Sequence, residues 1–247
     1  SKEEVLRRIQ RIAHFAWYCH PGHFADGRIE NLAYVIGNKL PNDHYNADLA
    51  THAILKSSNN KRKHLHVASE ISDIGGHSRV ITNMINQDHA SHHLIILTNQ
   101  CTENLPPKFK EEVRCSECSI ICLGNQQTLQ EKAGTLREIA KSYDTVFLYH
   151  HPYDVVPTVA FAVRDLPPIL VENHAHSWFW LGSSIADMVF YHSDHIDSHV
   201  PEAKMYLPQH IMQRRFIKNT FHLPFVQLWE TDIRRANLSK SKAKESI

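Results

Sequence analysis

Residues 64–80 read His64-Leu65-His66-Val67-Ala68-Ser69-Glu70-Ile71-Ser72-Asp73-Ile74-Gly75-Gly76-His77-Ser78-Arg79-Val80, or HLHVASEISDIGGHSRV. A short apolar-bearing run ends in a polar turn, two adjacent glycines follow, and a helix is expected over Ser78–Gln87. This is the pattern of a first strand, a tight turn and a first crossover helix. In a doubly wound sheet that turn lies at the carboxyl edge, where ligands bind. Glycine there lets the backbone approach a phosphate, and the following helix offers free N–H groups and the positive end of its dipole. An ordinary tight turn is the alternative reading. The stretch is neither a Gly-x-Gly-x-x-Gly fingerprint nor a Walker loop.

Moving toward the C-terminus, short apolar runs keep alternating with amphipathic stretches. HLIILTN is followed by a short helix around Phe109–Val113, and CSIICLG by QQTLQEKAGTLREIAKSY. TVFLYHH precedes a helix over Val155–Arg164, and PPILVEN, ADMVFYHS and the short strand-length run KMYLPQ follow. Strand-length runs separated by helices predict βαβ units, right-handed crossovers and one parallel sheet with strand 64–69 at its centre.

Residues 1–60 differ from this rhythm. EEVLRRIQRIAHFAWYC carries Val5, Leu6, Ile9, Ile12, Ala13 and Ala16 at helical spacing, and Pro21-Gly22 ends it. ADGRIENLAYVIGNKL reads as a second helix and HAILKSSNNKRK as a polar connector. The expectation is an α-helical N-terminal extension that packs its apolar stripe on the sheet domain, because leaving it in water is costly.

The chain has 247 residues, 42% of them hydrophobic, which suits one large domain with an appendage. Lys+Arg is 27 against Asp+Glu 26, a formal charge of +1, so the basic face of a nucleic-acid binder is not expected. No apolar run reaches membrane-spanning length. The charged start SKEEVLRRIQRI does not read as a signal peptide, and the five cysteines are odd in number and widely spaced. Together these point to a reducing compartment and a cytoplasmic location. Cys115-x-x-Cys118 resembles half a zinc site, but a second pair is missing, and no metal is expected. The 20 histidines are scattered rather than arrayed on one helix.

Three further stretches put polar residues just after apolar runs. Glu172-Asn173-His174-Ala175-His176 follows PPILV, and alternation places His174 and His176 on one face of an extended chain. A metal reading of that pair requires a third ligand that the sequence does not identify, so hydrogen bonding to a polar ligand is favoured. Tyr149-His150-His151-Pro152-Tyr153-Asp154 follows TVFL, with Asp154 equally suited to capping the next helix. ADMVFYHSDH ends a buried strand in a serine.

The Gly75-Gly76 turn, the histidine-bearing VENHAHS, then ADMVFYHSDH and AKMYLPQHI, taken in order, resemble the N-terminal half of GT-B glycosyltransferases of the retaining, group 1 type. The resemblance covers about residues 63–210. Pro208-Gln209-His210 departs from the family's usual Pro-Asn-Gly. It implies a Rossmann-like acceptor-side domain over 61–212, the helical extension over 1–60, and a helical linker over 213–247 leading to a C-terminal donor domain. By the same resemblance, Gly75 and Gly76 meet the donor diphosphate with His77 alongside. His174 or His176 contacts the transferred sugar near the reacting carbon, His174 being the candidate for catalysis. Their place at strand ends, rather than the resemblance, adds Glu172, Tyr149 and His150 to the expected substrate or donor contacts, with His151 and Tyr153 able to reach a polar substrate beside them. A nucleotide sugar is the implied donor, the acceptor (glycan, lipid-linked or protein) is open, no metal or other cofactor is implied, and the Trp178-Phe179-Trp180 cluster is a candidate for acceptor or peripheral membrane contact. Two other readings remain: half of a nucleotide-sugar epimerase, and a non-catalytic Rossmann-like interaction module docking through residues 1–60.

Overall fold

The structure is a computed structural model that describes residues 1–22, 25–41, 43–55, 61–73, 75–113, 118–124, 128–163, 165–175, 178–191 and 220–222. KMYLPQ, His176 and Cys115 lie outside the described residues. Seven strands form one sheet in the order β3-β2-β1-β4-β5-β6-β7. They are β1 (Lys63–Ala68), β2 (His92–Leu97), β3 (Cys118–Cys122), β4 (Thr145–Tyr149), β5 (Ile169–Glu172), β6 (Met188–Tyr191) and β7 (Thr220–His222). Every neighbouring pair is parallel. The order reverses between β1 and β4, so the arrangement is Rossmann-like, with its switch point beside the first strand.

Period-two alternation sorts the central strands onto two faces. Leu65, Val67, Leu94, Ile96, Val146 and Leu148 join one buried cluster. Ala68, Ile95, Leu97 and Tyr149 join the other, with Phe147 against it. The register makes this consistent, since Leu65 pairs Leu94 and Val146 while Ala68 pairs Leu97 and Tyr149. Helices α4 (Gly76–Gln87) and α5 (Pro107–Glu112) cover the second face through Val80, Ile81, Ile85 and Phe109.

The first face is covered by α1 (Lys2–Cys19), α2 (Gly27–Asn38), α3 (Ala47–Leu55), α6 (Leu129–Ala140) and α7 (Val155–Ala160). Leu6, Ile9, Ala13, Ala33, Ile36, Ala50 and Ala53 share one cluster with the sheet. The amphipathic stripe of α1 therefore packs inward, except that Ile12 is 52% exposed. That residue sits on the outer flank of the stripe. Ser1 caps α1, whose end is set by His20 in the left-handed region (φ 48°) just before Pro21. Glu3 Oε1 and Oε2 accept from the Leu129 and Gln130 backbone N–H groups, so α1 supplies acceptors to the first turn of α6. Thr128 and Glu131 add a capping box at the same point.

Three local expectations are corrected. His52–Leu55, read as polar connector, is the last part of α3, because Ala50 and Ala53 find apolar cover on the sheet side. Thr220–His222, read within a helical linker, is a strand beside β6. Three residues are too few for any periodicity to register, and pairing with an open sheet edge decides their conformation. α7 stops at Ala160 rather than continuing to Arg164. No helix among the described residues is long and apolar enough to cross a membrane.

Candidate functional site

Each central strand hands over to a polar residue at the same edge. Ser69 follows β1, Thr98 follows β2, His150 follows β4 and Asn173 follows β5. In-register pairing brings these four exits side by side, and two small polar clusters result, one on each face.

The first cluster contains the residues singled out by the GG turn and the histidine run. Gly75 is the N-cap of α4, makes no side-chain cap, and no acidic residue occupies the first turn. Gly75 and Gly76 are both solvent-exposed. His77 follows in that turn, and its ring meets the His174 ring edge-on at a centroid distance of 3.4 Å. Asn173 holds the His174 loop closed, its Oδ1 accepting from the Ala175 N–H at 2.8 Å. Glu172, at the end of β5, is 4% exposed, and its Oε2 lies 2.6 Å from His174 Nε2. A Cβ on Gly76 would sit 3.5 Å from His174 Cε1, so the glycine and the histidine are in direct apposition.

The surroundings of His77 favour its neutral imidazole. Burial, then the neighbouring His174, hold His77 well below the ordinary histidine range, with Glu172 opposing. The His77 Nε2 atom is buried without a hydrogen-bond partner among the described residues.

Two expected contacts prove to face elsewhere. Tyr149 is 2% exposed, and its hydroxyl lies 3.3 Å from His66 Nδ1 and 3.0 Å from Met84 Sδ. As the last residue of β4 its side chain falls on the α4 face, so only its ring borders His77, at 6.5 Å between centroids. It floors the site and offers it no hydroxyl. His150 is likewise buried; its Nε2–H donates to the Leu181 carbonyl at 2.7 Å, and among the described residues its Nδ1 has no partner. Burial is the first cause of its lowered pKa. His150 lines a small pocket with Glu172, Asn173, His174 and Trp180, behind the exposed cluster. Trp178 is 42% exposed and packs on His20 at 4.6 Å, whereas Phe179 and Trp180 are buried.

Of the second cluster, the sequence singled out His151, Tyr153 and Asp154, the last as a helix cap, but not Ser69, Thr98 or Lys132. Asp154 caps α7 through the Val156 N–H and also accepts from the Ser69 and Thr98 hydroxyls. Ser69 Oγ in turn accepts from the His151 N–H at 2.8 Å. Lys132 donates from Nζ to the Thr98 carbonyl at 2.9 Å, and burial lowers its pKa while Asp154 opposes the shift. Ser69, Thr98, Lys132, His151, Tyr153 and Asp154 line a pocket at the switch point. The available signal was positional: Ser69 and Thr98 are each the first residue beyond a buried run.

No protein family, curated protein or solved structure matches the chain.

Proposed function

We propose that the chain is the N-terminal, acceptor-side domain of a GT-B glycosyltransferase of the retaining, group 1 type, acting with a nucleotide-sugar donor. One observation carries the reading: an uncapped helix N-terminus behind two exposed glycines opens directly against His174 at the ligand edge of a parallel sheet. Glycosyl transfer develops an oxocarbenium-like sugar and negative charge on the departing phosphate. Backbone N–H groups at a helix start are suited to that charge and cost no reorganisation. In this reading Gly75 and Gly76 leave space for the diphosphate, His77 borders it, and His174, steadied by Glu172, orients the sugar. His150 and Tyr149 support from behind. A donor domain supplies the other wall, because one wall cannot stabilise the transition state selectively.

The test is steady-state transfer from a panel of nucleotide sugars by the full-length gene product. His174→Ala is expected to lower kcat more than it raises donor KM. Gly76→Val is expected to impair every donor, since the added methyls fill the space beside the His174 ring. Full activity in His174→Ala removes that residue from the mechanism. Clear transfer by residues 1–247 alone overturns the half-site reading.

A further inference from the structure

The cluster at the carboxyl edge has a property that glycosyl transfer does not require. His77, Glu172 and His174 each present one potential ligand atom, and these atoms all lie within 4.8 Å of one another. Among the described residues this is the one such group of three. It is assembled from two separate segments: His77 comes from the first turn of α4, Glu172 and His174 from the exit of β5.

Three observations point to an ion rather than to packing. Two imidazole rings and a carboxylate are brought to one point, with the ring centroids 3.4 Å apart and a carboxylate oxygen 2.6 Å from His174 Nε2. His77 Nε2 is buried and makes no hydrogen bond among the described residues, a costly state that calls for an explanation. The outer side of the cluster is open, with Gly75 and Gly76 exposed and the His174 side chain 21% exposed. A tetrahedral ion with bonds of about 2.0–2.1 Å holds its ligand atoms about 3.3 Å apart, so modest side-chain rotation closes the set.

We propose that His77, Glu172 and His174 bind a divalent ion of the zinc type through two imidazole nitrogens and one carboxylate oxygen, with a further position open to water or an oxyanion. Two imidazoles exclude the all-oxygen shells of calcium and magnesium, and the lack of a thiolate argues against copper(I). A three-ligand, open set is the form found where the ion acts on a bound molecule rather than holding the fold. At a helix start, that molecule is an anion such as a phosphate or carboxylate. The inference does not rest on glycosyl transfer: ion binding is measured without any sugar nucleotide, so either reading can fail alone.

The protein is stripped with a chelator and titrated with ZnCl2 by calorimetry. The zinc-loaded protein is then examined by X-ray absorption. One equivalent is expected, with two imidazoles and at least one oxygen around the ion and no sulfur. His77→Ala and His174→Ala are each expected to weaken binding by more than about tenfold, the loss that even outer-shell partners commonly cause. Glu172→Gln weakens it in the same direction, and exposed His89→Ala leaves it unchanged. Circular dichroism checks that the variants fold. If one does not, the absorption spectrum of the unaltered protein decides. Less than one equivalent at micromolar zinc, a sulfur-containing shell, or undiminished binding in both histidine variants overturns the proposal.

Discussion

Glu30 is a buried carboxylate with no cationic partner in hydrogen-bonding contact among the described residues. It is fully buried on α2, where it accepts from the Gly182 N–H at 2.6 Å and from the Ser184 N–H at 3.2 Å and hydroxyl. Burial pushes its pKa up, and these donors only partly oppose that. It pins the Gly182–Ser184 turn before β6, and Gly182 itself has φ +114°, a conformation glycine adopts without strain. Glu30→Ala is expected to destabilise by about 3 kcal/mol, because buried donors lose their acceptor. Glu30→Gln retains an acceptor and costs about 1 kcal/mol. Urea unfolding followed by fluorescence measures both; equal losses would show that cavity formation, not the acceptor, matters. Arg137 is the complementary case, donating to the Gly37, Val159 and Ala160 carbonyls from a buried position.

Those same carbonyls mark where elements meet most closely. A Cβ on Gly37 of α2 would collide with the Val159 carbonyl oxygen of α7 and lie 2.8 Å from the Ala162 Cβ. On Gly134 of α6 it would collide with the His44 carbonyl oxygen. In both cases the obstacle is backbone, which cannot swing aside. Gly37→Ala and Gly134→Ala should therefore each lose about 2–3 kcal/mol, although alanine favours helix. Gly76→Ala, whose new methyl meets only the His174 ring at 3.5 Å, should stay within about 0.5 kcal/mol. Thermal melts of the three variants check the contrast.

For the whole molecule, buried histidine sets the acid limit. His93 Nε2–H donates to the Asp88 carbonyl at 2.8 Å, so its Nδ1 accepts from His66 Nε2 at 3.0 Å, and His66 Nδ1 faces the Tyr149 hydroxyl. Burial, then His93 and His64, hold His66 well below the ordinary range; burial also lowers His150, with Asp154 opposing. A folded pKa below the unfolded value of about 6.5 means that the unfolded chain binds the extra proton first. Their stabilisation is complete above about pH 6.5 and is lost as pH falls below it, by up to about 1.4 kcal/mol per pH unit for each histidine. Glu30 acts oppositely, favouring the fold as it becomes protonated, and its raised pKa softens the loss at lower pH. Urea midpoints measured from pH 8 to 5 should be flat above 7 and fall below 6.5. His66→Phe, which keeps an aromatic ring on the face where His66 stacks on Phe147, should flatten that fall.

The sequence by itself determined the parallel sheet, its central strand and the helices over the carboxyl turns. Leu65, Val67, Leu94 and Ile96 repeat every second residue, and that period belongs to the chain before it folds. It also placed Gly75, Gly76, Glu172 and His174 at one edge, since strand exits in a parallel sheet share an edge. What only the tertiary structure decided was direction and partnership. Tyr149 and His150 are adjacent strand-end residues, yet one turns its hydroxyl toward His66 and the other donates to Leu181. His77 comes to stand beside Glu172 and His174 from some 95 residues away along the chain, and Asp154 gathers Ser69 and Thr98 from two other strands. Such contacts follow from strand order and register, which set neighbours through packing over the whole sheet, and no local pattern of residue types encodes them.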